Sequence, residues 1–148
     1  PPIRGFIDLI MEYDGETVIG EIKTAKQEVW DTRQSEMKPT DNHMLQLLTY
    51  MKLKKAKEGF FLYENKNTQE ILVIPISMNE KNTRIIEETF AWLCEVWDNF
   101  KEGDLPKRPE GATKSKMPCT YCPVKKECYA KGGPVGTVEI DLFSVSNT

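Results

Sequence analysis

Short apolar runs broken by turn signals occupy the first quarter of the chain and recur in its middle. Stretches with three- and four-residue apolar spacing follow each pair of runs. Ile3, Phe6, Ile7, Leu9, Ile10 and Met11 form a nearly continuous apolar run, which predicts a strand over residues 3–12. Asp14-Gly15 is a strong hairpin signal, and Thr17–Lys23 reads as the returning strand, with Val18 and Ile19 ahead of Glu21. Residues 24–40 are polar and irregular around Trp30 and read as a loop or short helix. Thr40 or Asp41 can cap a helix reaching about Lys57, with Met44, Leu47, Leu48 and Met51 on one side and Gly59 as its stop. Gly59–Tyr63 and Glu70–Ile76 predict a second hairpin around Asn65–Thr68. Residues 79–100 predict a second amphipathic helix that buries Ile85, Phe90, Leu93, Val96, Trp97 and Phe100 and stops at Gly103. The order β-β-α-β-β-α predicts an α/β fold, a mixed sheet flanked by helices. Three segments are expected: a core over 1–104, a cysteine-bearing segment over 105–131 and a flexible tail over 132–148.

Composition narrows the class without naming a function. The 148 residues suffice for one domain with a core, and 39% hydrophobic with 29% charged content suits a globular protein. No apolar stretch spans a bilayer and no signal-peptide pattern opens the chain, so no membrane partner and a cytoplasmic location, bacterial or viral within a host, are expected. The chain opens on Pro1-Pro2, which reads as a piece of a longer protein with part of its core upstream. Net charge is −3, so no global basic signal points to nucleic acid. Charge is uneven, however. From Lys101 to Lys131, eight basic residues face four acidic ones, and Lys52, Lys54, Lys55 and Lys57 form a second basic group. Such patches can track a phosphate backbone or simply be solvated surface.

Candidate chemistry sits on the first hairpin. A symmetric turn at Asp14-Gly15 sets Asp8 and Glu21 opposite each other. Lys23 lies two residues beyond Glu21 and points to the same face. Two facing carboxylates repel unless a cation sits between them, and an oxygen pair suits Mg²⁺ or Mn²⁺. These charges interrupt apolar runs, where burial without a ligand is costly. The plainer alternative is an exposed hairpin whose lysine pairs with one acid.

Gly5-x-x-Asp8 and Glu21-x-Lys23 resemble the core motifs of the PD-(D/E)XK nuclease superfamily. Gln46-Leu47-Leu48-Thr49-Tyr50 is similar to the Gln-x-x-x-Tyr motif of its RecB-like branch, and the four-residue spacing puts Gln46 and Tyr50 on one helical face. The resemblance implies a restriction-endonuclease-like core. It implies that Asp8 and Glu21 bind metal, with the Ile22 carbonyl as a further ligand. Lys23 would orient or help deprotonate the attacking water, and Gln46 and Tyr50 would position substrate. RecB-like enzymes also use a histidine ahead of this motif. The single histidine, His43, follows it and reads as a surface residue of the first helical turn. Cys94, between Leu93 and Trp97, reads as a buried thiol.

Cys119-x2-Cys122-x5-Cys128 has metal-ligand spacing but is one ligand short of four. It is similar to the C-terminal trio of iron–sulfur nucleases, the AddB-type helicase–nucleases and four-cysteine CRISPR-associated nucleases, whose fourth cysteine precedes the core. The resemblance implies a structural 4Fe-4S cluster, with Zn²⁺ as the alternative. Glu139-Ile140-Asp141-Leu142-Phe143 is similar to the sliding-clamp-binding peptide of bacterial replication proteins, with Glu139 where glutamine is usual, though a last strand docking on the sheet is the plainer reading. The combined expectation is a metal-dependent DNA nuclease, an exonuclease on single-stranded ends in repair, recombination or replication. The alternatives are an inactive nucleic-acid-binding module or a zinc-knuckle interaction domain.

Overall fold

The computed structural model describes residues 1–103, 113–115, 119–123 and 125–130. β1 (Leu9–Tyr13) and β2 (Glu16–Ala25) form the first hairpin, turned by Asp14 and Gly15 at positive φ. Leu9 pairs with Gly20 and Tyr13 with Glu16. The strand expected from residue 3 begins only at Leu9: Ile3 and Phe6 are 44% and 79% exposed, so their side chains gain nothing from an extended pairing there.

The polar stretch after β2 folds as helix α1 (Gln27–Glu36), which buries Trp30 and ends on Met37 in the left-handed region. α2 (Asp41–Lys54) is capped by Thr40, whose hydroxyl accepts from the His43 amide. It ends earlier than expected. Lys55 takes the left-handed conformation and its amide reaches the carbonyls of Met51 and Lys52, so Gly59 is not the stop. β3 (Glu58–Asn65) and β4 (Ile71–Ser77) form the second hairpin. The sheet has four strands in the order β1-β2-β3-β4, with β2 and β3 parallel and the other pairs antiparallel. It is a mixed sheet in an α/β fold, consistent with a restriction-endonuclease-like core.

The parallel pair exists because α1 and α2 carry the chain from the end of β2 back to the start of β3. Both helices lie on the same strands, and the core forms between them and the sheet. Ile19, Phe61 and Tyr63 of β2 and β3, Leu47, Leu48 and Met51 of α2 and Trp30 of α1 are buried there, and Ile74 and Ile76 of β4 are buried as well. The alternate residues Ile22, Ile71 and Val73 are exposed.

α3 (Glu80–Lys101) buries Ile85 and Ile86 in its first turns, where Asn79 caps the Asn82 amide. Farther on, Phe90, Leu93, Val96 and Trp97 are half-buried and Phe100 is exposed, so the expected buried side is only partly covered. Cys94 is exposed rather than buried. It shares a helical face with Glu87, Ala91 and Asp98, and adjacency to Leu93 in sequence places it about 100° away around the helix. The chain divides into two compact units, one over residues 2–87 and one beginning at Glu88. In the second, Cys119–Tyr121 form a 3₁₀ turn and Lys125–Ala130 form α4.

Candidate active site

The hairpin register continues one step beyond β1, so Asp8 falls opposite Glu21. Asp8 lies outside the strand, and its Oδ2 accepts from the Ile22 amide at 2.9 Å. Glu21 is 1% exposed, on the face of β2 that α2 covers. Burying a carboxylate costs several kcal/mol unless its charge is met. Lys23 meets half of it: Nζ lies 2.5 Å from Glu21 Oε1. Glu21 Oε2 is buried with no hydrogen-bond partner.

Helix α2 supplies the next layer. Gln46 Oε1 accepts from Lys23 Nζ at 3.1 Å, and Gln46 Nε2 donates to the Tyr50 hydroxyl at 3.4 Å. The i, i+4 spacing therefore delivers one polar chain, Glu21–Lys23–Gln46–Tyr50. Gly5 closes it from the other side. A Cβ there would sit 2.8 Å from the Tyr50 hydroxyl oxygen and 2.9 Å from its ring, so only glycine lets the segment leading to Asp8 cross Tyr50 this closely.

Sequence reasoning missed His43. It is half-buried rather than a surface residue, and its Nδ1 lies 2.7 Å from the Tyr63 hydroxyl. Tyr63 is the β3 partner of Lys23 in the parallel register. Burial lowers the proton affinity of His43, and the cations Lys23 and Arg33 lower it further. Burial raises the pKa of the Tyr63 phenol. The three-residue step from His43 to Gln46 was the available signal, because it continues the Gln46–Tyr50 face by one turn.

Residues 2–129 match the family profile of the PD-(D/E)XK nuclease superfamily. The chain belongs to that superfamily. No curated protein matches it significantly. A solved structure, "Crystal structure of SSO0001", is 20% identical with a TM-score of 0.49, over 84% of this chain and 50% of that one. The chain thus spans half the length of that protein.

PD-(D/E)XK nucleases typically use Mg²⁺ or Mn²⁺. The donors here fit such a cation. Both are hard carboxylates, Asp8 keeps one oxygen outside its bond to Ile22, and the buried Glu21 Oε2 lacks any other partner. Among the described residues no three or more His, Cys, Asp or Glu side chains are gathered into a metal-binding group. That holds for the cysteines too: Cys119, Cys122 and Cys128 are free and half-buried, and the Tyr129 hydroxyl lies 3.7 Å from Cys119 Sγ. The peptide Glu139–Phe143 lies outside the described residues.

Proposed function

We propose that this superfamily member is a Mg²⁺- or Mn²⁺-dependent DNA nuclease of the RecB-like type, acting as an exonuclease on single-stranded ends. The observation that carries the catalytic reading is the orphaned, buried Glu21 Oε2 beside a lysine already bound to its sister oxygen. Bound metal would supply Lewis acidity toward a phosphate oxygen and toward water. Asp8 and Glu21 would hold it, with the Ile22 carbonyl as a further ligand. Lys23 would meet the negative charge that grows as the phosphodiester is attacked, and its bond to Gln46 supports that role by holding Nζ in place. Gln46 and Tyr50 position the lysine and the strand. The roles of these residues, the exonuclease mode and a place in repair, recombination or replication belong to this reading.

The cysteine trio supports a further part of it. In this reading Cys119, Cys122 and Cys128 give three thiolates to a structural 4Fe-4S cluster, with Zn²⁺ as the alternative and a fourth ligand from elsewhere. Visible absorption and metal analysis of anaerobically purified protein separate the two. An iron chromophore supports the cluster, and colourless zinc-bound protein overturns it. Glu139–Phe143 would serve as a clamp-docking peptide, and unchanged clamp affinity after its deletion overturns that role.

The deciding assay follows labelled single- and double-stranded DNA with Mg²⁺, Mn²⁺ or EDTA, for the chain and its Lys23→Ala variant. Cleavage should require metal, favour single-stranded ends and fall by about a hundredfold or more in the variant. Cutting that persists in EDTA or without Lys23 rejects the mechanism.

A further inference from the structure

We propose that His43 is a substrate-binding residue whose free ring nitrogen, Nε2, donates a hydrogen bond to a backbone phosphate of the strand lying against Lys23. The substrate class rests on the nuclease reading; the geometry of the residue does not.

The ring is fixed from several sides. Its Nδ1 is 2.7 Å from the Tyr63 hydroxyl, and its centroid lies 5.9 Å from the Tyr63 ring and 6.3 Å from the Phe61 ring. Its own amide is tied to the Thr40 hydroxyl at the start of α2. A side chain held this way loses little rotamer freedom on meeting a ligand. Its place is equally defined. His43 precedes Gln46 by one helical turn, Gln46 bonds Lys23, and Tyr63 pairs with Lys23 across β2 and β3. His43 therefore stands one turn of α2 along from the Lys23–Glu21 pair.

The bond to Tyr63 also sets which nitrogen is free. The Tyr63 hydroxyl carries one proton, which in this proposal it donates across this contact to Nδ1. A neutral imidazole that accepts at Nδ1 carries its one proton at Nε2. Burial favours the neutral form, and Lys23 and Arg33 favour it further. The outcome is a rigid donor beside two cations, a combination that suits a phosphate oxygen. A structural role would need only the Nδ1–Tyr63 bond that packs α2 on β3.

Two substitutions separate these roles, because Asn carries an amide where Nδ1 lies and Gln carries one where Nε2 lies. The measurement is fluorescence-polarisation binding of a labelled single-stranded oligonucleotide to the chain, with Ca²⁺ in place of Mg²⁺, alongside thermal melts. His43→Asn should keep the melting temperature and weaken binding by about tenfold, whereas His43→Gln should bind within about threefold of wild type. Wild-type binding by His43→Asn, equal weakening in both variants, or a chain that does not bind the oligonucleotide overturns the proposal. Oligonucleotide binding that shows this pattern without cleavage in Mg²⁺ or Mn²⁺ overturns the catalytic reading instead and leaves His43 in this role.

Discussion

His43 is the only histidine in 148 residues, so the pH range in which histidines titrate reports on one group. Its folded pKa is lowered by burial and then by Lys23 and Arg33, while the unfolded chain titrates near the ordinary value of about 6.5. As pH falls through that value, the unfolded state takes up the proton first. The contribution to stability is therefore complete above about pH 6.5 and is lost as pH drops toward the folded pKa. Thermal melts from pH 7.5 to 5 should show wild type losing more stability than His43→Gln, whose side chain does not titrate. Parallel curves would mean that the ring charges as easily folded as unfolded. The same residue shows what the sequence conceals at this scale. Asp8, Glu21, Lys23, Gln46 and Tyr50 are legible because strand alternation and the helical repeat decide which of them share a face. His43 was not, since its partner Tyr63 is 20 residues away and reaches it only through the β2–β3 register.

At the scale of elements, α2, β2 and β3 converge on Gly59. A Cβ there would lie 2.8 Å from Met51 Sδ and 2.9 Å from the Ile19 carbonyl oxygen. The thioether can move, but the carbonyl is backbone of β2, the strand that carries Glu21. Gly59→Ala should cost about 1–3 kcal/mol of stability by overpacking, read as a lower urea midpoint at unchanged m-value. An unchanged midpoint would mean that the helix slides off the sheet at little cost. This junction also explains where element prediction failed. Gly59 looks like a helix stop in a string of residues, yet Lys55 ends α2 and Gly59 is a point of close approach inside β3. α1 was half-legible for a related reason: one buried tryptophan on a polar helix leaves almost no periodicity to read. The two hairpins were clear because Asp14-Gly15 and Asn65–Thr68 are local signals. The parallel β2–β3 pairing depends on a two-helix crossover, which no local signal encodes.

For the whole molecule, an acidic protein that binds a polyanion must do so through a local field, and the salt dependence shows how local. Net charge is −3, and the cations the described site offers are Lys23 and Arg33. Both are partly committed: Lys23 Nζ is paired with Glu21 Oε1, and Arg33 Nη1 donates to the Lys38 carbonyl at 2.7 Å and lies 3.6 Å from Glu36 Oε2. Each phosphate neutralised on a single strand contributes about −0.7 to the slope of log K against log salt, so two contacts give about −1.4. Affinity for a short single-stranded oligonucleotide should then fall by roughly sevenfold between 50 and 200 mM salt, by that slope. The chain holds a second reservoir of charge in the eight basic residues from Lys101 to Lys131. If those residues also track the backbone, the slope steepens by about −0.7 for each phosphate they neutralise. A titration series at four salt concentrations decides between the two. A slope shallower than about −2 confines recognition to the Lys23 neighbourhood, and a slope beyond about −3 moves most of the binding energy onto the basic segment.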